Sequence, residues 1–100
     1  MKEIEKKIIF FGVSPAANNY LLQIKNTLNF STKTKVILHL LSNYNGEPLN
    51  FDEDLLFNSK NAIFIKMSVS KSTYNKLLIF AGEKRKIGSF LRAIILKKMI

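Results

Sequence analysis

The chain has 100 residues, enough for one compact domain with a modest core. Hydrophobic residues make up 47% of it, which excludes a disordered chain, and the absence of cysteine excludes disulfides and zinc-thiolate sites. Sixteen basic residues against seven acidic give a formal charge of +9, a balance that points first to nucleic acid as a partner.

Met1-Lys2-Glu3-Ile4-Glu5 carries acids where a signal peptide would not, and no apolar run reaches the length of a bilayer span. An intracellular protein without membrane contact is the expectation. Abundant Lys, Asn, Ile and Phe match the codons of an AT-rich genome, an association that favours a virus, a plasmid or an AT-rich microbe.

Lys7-Ile8-Ile9-Phe10-Phe11-Gly12-Val13 is rich in β-branched and aromatic residues and too short for a buried helix, so it predicts a strand. Ser14-Pro15 opens a helix: serine caps, and proline in the first turn loses only an amide that had no partner. Ala17, Tyr20, Leu21, Ile24 and Leu28 form its apolar stripe, and Asn26 to Asn29 let it end. A second helix follows Ser31-Thr32-Lys33-Thr34, with Val36, Ile37, Leu40, Leu41 and Tyr44 facing inward. Asn43, Asn45, Gly46 and Pro48 close it.

Residues 45–61 form a linker. Leu49, Phe51, Leu55, Leu56 and Phe57 make it too apolar for a plain tether, so part of it is expected to pack on the sheet, with an added strand as one form. Asp52, Glu53 and Asp54 read as a solvated acidic loop, because adjacent carboxylates do not converge on a substrate.

Ala62 to Val69 is a second strand. Ser70 caps a third helix with the stripe Tyr74, Leu77, Leu78 and Ala81; Gly82 and the cations of Glu83-Lys84-Arg85-Lys86 close it. Gly88-Ser89 then opens a last helix, with Phe90, Leu91, Ile94, Ile95 and Met99 inward.

The two halves repeat. At an offset of 56, Ile8 to Ser14 falls on Phe64 to Ser70, and Leu21-Leu22 on Leu77-Leu78; beyond a shorter turn, Ile37 falls on Leu91 at an offset of 54. One strand-helix-helix unit cannot close a core, whereas two can.

Strand, capped helix, short turn, and a second helix opening on Ser or Thr before an apolar pair: this pattern resembles the ribbon-helix-helix regulators. Ser31 to Ile37 and Gly88 to Ile94 sit where that family opens its second helix, and the resemblance covers about three quarters of the chain. It implies a mostly helical α+β fold, a single domain over 1–100. Two tandem motifs, 7–44 and 62–100, would form an intramolecular pseudodimer around a central antiparallel ribbon, as in the tandem regulators of archaeal viruses.

The resemblance also implies sequence-specific binding of double-stranded DNA by a transcription regulator, a repressor by occlusion, in the cytoplasm of a prokaryotic host. The ribbon would enter the major groove and helix N-termini would hold phosphates. No cofactor is implied, and self-association of pseudodimers on DNA stays open. Strand alternation sets Phe64, Lys66 and Ser68 outward in the second unit and Ile8, Phe10 and Gly12 in the first. The family's phosphate contacts map to Ser31, Thr32 and Lys33, and to Ile87, Gly88 and Ser89; Lys35, Lys84, Arg85, Lys86 and Arg92 add charge. Simple helix capping is the competing reading for each Ser and Thr.

The outward face departs from the family, which carries polar residues there, because Ile8, Phe10 and Phe64 are apolar. Three explanations stay open, in this order: the linker covers the face, another protein copy docks on it, or it contacts thymine methyls. A protein-interaction module, an antitoxin or an assembly adaptor, is the alternative function. An enzyme is not expected. His39 is alone, no glycine-rich phosphate loop or nucleophile-base pattern occurs, and Tyr20, Tyr44 and Tyr74 lie on apolar stripes.

Overall fold

A computed structural model describes residues 6–49, 57, 58 and 60–99. Strand β1 (Lys6–Val13) leads into helix α1 (Pro15–Thr27) and helix α2 (Lys33–Ser42). Strand β2 (Ile63–Ser70) leads into α3 (Lys71–Ala81), a 3-10 turn (Lys84–Lys86) and α4 (Ile87–Met99). The two strands pair antiparallel in one sheet, so the fold is a mostly helical α+β pseudodimer of two strand-helix-helix units.

The register carries the symmetry. Phe10 pairs with Lys66, the residue that the offset of 56 makes its own counterpart, so the pseudo-two-fold axis passes through that pair. Period-two alternation then sorts the side chains. Ile9, Phe11, Val13, Ile65, Met67 and Val69 are buried on the inner face, while Ile8, Phe10, Phe64, Lys66 and Ser68 are exposed on the outer one.

Local chemistry starts the helices alike in both units. The hydroxyl of Ser14 accepts from the Ala17 amide at 3.1 Å, and that of Ser70 from the Thr73 amide at 3.3 Å, each filling an amide that helix geometry leaves open. Replacing Ser14 or Ser70 by alanine should each cost about 1 kcal/mol of unfolding free energy, measured by chemical denaturation. Asn29 takes a left-handed turn at φ +59° after α1, and the Gly82 amide donates to the Leu78 carbonyl to close α3.

The inward stripes match at corresponding places. Leu21 and Leu77 are fully buried, and Val36, Ile37, Leu40 and Leu41 answer Phe90, Leu91, Ile94 and Ile95. Leu28 is the exception: it caps α1 and is exposed. The units interlock, since α2 packs on β2 and α4, and α4 packs on β1 and α1. Tyr44 meets Phe80 and Phe90 edge-on at 5.0 and 5.4 Å, locking the end of α2 to α3 and α4.

Two boundaries differ from the sequence reading. The cations at 84–86 do not close α3; they form the 3-10 turn that leads into α4. That helix begins at Ile87, so Gly88 and Ser89 lie inside its first turn rather than opening it. The extended residue ahead of the turn is Glu83, which makes no side-chain cap bond and so leaves no local signature. The expected linker strand and the acidic run fall outside the described residues. The sheet has two strands among the described ones.

Candidate nucleic-acid interface

The outer ribbon face consists of three cross-strand rungs: Gly12 with Phe64, Phe10 with Lys66, and Ile8 with Ser68. Phe10 and Phe64 stack diagonally, ring centroids 5.3 Å apart and planes 7° from parallel, yet remain 65% and 51% exposed. Lys66 and Ser68 are also exposed beside them.

Gly12 corrects the sequence reading. It holds an outward register position but is buried. A Cβ there would lie 2.8 Å from Cζ of Phe57 and 3.1 Å from both Ala62 and Phe64. The end of the linker therefore covers one end of the ribbon and leaves the phenyl stack open. Arg92 fastens this corner: Nη1 donates to the Gly12 carbonyl at 3.0 Å, Nη2 to the Ser89 hydroxyl at 3.3 Å, and the guanidinium lies 4.2 Å from the Phe57 ring centroid. Its charge is engaged in tying α4 and the linker to β1. Gly88 serves the same packing, since a Cβ on it would approach that of Phe11 to 3.3 Å.

An open groove of about 550 Å³ runs beside β1, lined by Ile8, Phe10, Tyr74, Lys84, Arg85 and Gly88 among others. Lys84, Arg85 and Lys86 are exposed along this flank. Glu83 receives the Arg85 Nε at 2.7 Å and lies 3.9 Å from the Lys86 ammonium, a surface pairing too weak to cancel three cations.

The corresponding flank in the first unit is different. Ser31 and Thr32 are exposed, but the Thr32 hydroxyl already accepts from the Lys35 amide at 3.2 Å. Lys33 is half-buried and donates to Oδ1 of the buried Asn18 at 2.8 Å, bracing α2 against α1. Sequence reasoning missed Asn18. Its place three residues before Leu21 put it on the inward stripe, where a polar group needs a partner.

Fifteen of the sixteen cations, but only Glu47 and Glu83 of the seven acids, belong to the described residues. Both of those acids are paired, Glu47 with Lys97 at 3.3 Å. His39 lies against Phe30, with ring centroids 5.4 Å apart. No helix among the described residues is long and apolar enough to cross a membrane.

Fold and surface together define a ribbon-helix-helix-like pseudodimer with a cationic flank beside an exposed ribbon face. Neither family models, curated proteins nor solved structures give a match to this chain.

Proposed function

We propose that this protein is a sequence-specific regulator of transcription that lays its ribbon in the major groove of double-stranded DNA and represses by occlusion. The observation that carries the reading is the outer ribbon face: two exposed strands, no carboxylate, Lys66 at the centre and Lys84 to Lys86 alongside. A two-stranded ribbon fits a major groove about 12 Å wide, and cations along its border meet the phosphates. Ser31 and Thr32 precede α2, and Gly88 and Ser89 lie in the first turn of α4, where this reading puts the backbone contacts; Lys33 contributes less because Asn18 holds it. The reading puts the protein inside a prokaryotic host cell as a viral or plasmid regulator.

Selection of bound duplexes from a random pool, followed by competition against random DNA, tests the assignment. Lys66→Ala should relax discrimination at the base it faces by about 1–3 kcal/mol and leave other positions unchanged. Equal affinity for every duplex would reject sequence-specific regulation.

The exposed Phe10 and Phe64 rings favour a second reading, a protein-interaction module of the antitoxin or adaptor kind. A protein that ignores duplexes at low salt but captures a host or viral protein through this face would establish it instead.

A further inference from the structure

We infer that Phe64, with Phe10 stacked on it from the axial rung, reads thymine methyl groups on one side of the ribbon's pseudo-two-fold axis, so that the protein takes a single orientation on a non-palindromic site. This rests on the DNA-binding reading above and adds the chemistry of the bases recognised.

The three rungs are chemically unequal. Gly12–Phe64 offers no side-chain donor or acceptor, Phe10–Lys66 offers an ammonium, and Ile8–Ser68 offers a hydroxyl. Outward residues on one strand are spaced about 7 Å, close to two base-pair steps of about 3.4 Å, so each rung faces its own part of the site. In the major groove the thymine C5-methyl is the apolar feature that a base pair presents. The Gly12–Phe64 rung can therefore discriminate by apolar contact and shape alone. The stack with Phe10 makes a flat apolar surface there that both rings share.

The flanks repeat the inequality. Lys84 and Arg85 line the groove beside Ile8 and Lys86 follows them, while the equivalent segment, Phe30 to Thr32, carries no lysine and the next residue, Lys33, is already bonded to Asn18. Charge selects the occupant. A polyanionic duplex suits an apolar pair edged by cations, whereas a second copy of this chain would set the same cations against one another.

The test uses the wild-type chain and the tightest duplex recovered from a random pool, with each thymine replaced in turn by uracil, which removes only the methyl. Affinity should fall roughly fourfold per contacted methyl, the equivalent of ~0.8 kcal/mol for one buried CH₂. The losses should lie on one side of the site centre and be absent at the mirrored positions. A Phe10→Thr, Phe64→Thr variant, its melting temperature and salt dependence matched to wild type, should bind the thymine and uracil duplexes equally. Duplex binding with no uracil effect, or with equal losses in both halves, overturns the inference and leaves the DNA-binding reading standing. Binding without any preference among duplexes overturns the inference as well. Failure to bind any duplex at low salt removes both.

Discussion

Leu21→Ala and Leu77→Ala should each lower the unfolding free energy by about 2–5 kcal/mol, and both variants should still melt in one transition. The two leucines occupy corresponding positions on α1 and α3, and each is 0% exposed within the same buried cluster. Truncation removes the transfer free energy of the side chain and leaves a cavity that packed neighbours fill only in part. For a chain of this length each 1 kcal/mol shifts the melting temperature by roughly 4–8 °C, so calorimetry should register a drop of about 8 °C or more. The single transition is the sharper demand. Because α2 packs on β2 and α4 on β1, damage in one unit is felt by both. Two resolved transitions, with only one displaced in each variant, would show that the units fold separately.

Replacing Lys84, Arg85 and Lys86 together by glutamine should produce the largest loss of duplex affinity. Each phosphate neutralised contributes about 0.9 to the slope of log K against log salt, so three contacts are worth up to about 2.7. Glu83 already engages Arg85, which sets the lower end of the expected change near ~1.8. At 0.1 M salt the upper figure corresponds to a loss of up to about 500-fold, shared by specific and random duplexes alike. Glutamine keeps helix propensity, and the three side chains are exposed, so the melting temperature should stay close to wild type. Titrations at several salt concentrations measure the slope. An unchanged slope would move the phosphate contacts to other cations, such as Lys6 and Lys71.

Much of the architecture was legible because its signals are local. Ser14-Pro15 and Ser70 cap helices through bonds to amides three residues away, and the inward stripes recur at helical spacing within each unit. Which strand faces turn inward followed from the repeat, since an offset of 56 and strand alternation leave little choice there. What escaped was set by distant residues. Gly12 carries an outward register position, and only the arrival of Phe57 buries it. Lys33 looked like a free cation until Asn18, fifteen residues earlier, met it across two helices. Arg92 looked like spare charge, but it bonds the Gly12 carbonyl eighty residues away. The start of α4 was misplaced because Gly88-Ser89 has the composition of a cap, while Glu83, which precedes the 3-10 turn, makes no side-chain cap bond.

The pairing of Phe10 with Lys66 has a consequence for ancestry. When two identical subunits join, the amino acid on the rotation axis meets its twin, and a lysine there would face a lysine. Like charges directly opposite on adjacent strands are unfavourable. Once both halves share one reading frame, an ammonium can keep that seat because an aromatic ring takes the other. A synthetic gene built from two second halves would restore the clash, and one built from two first halves would seat a phenylalanine opposite its own copy.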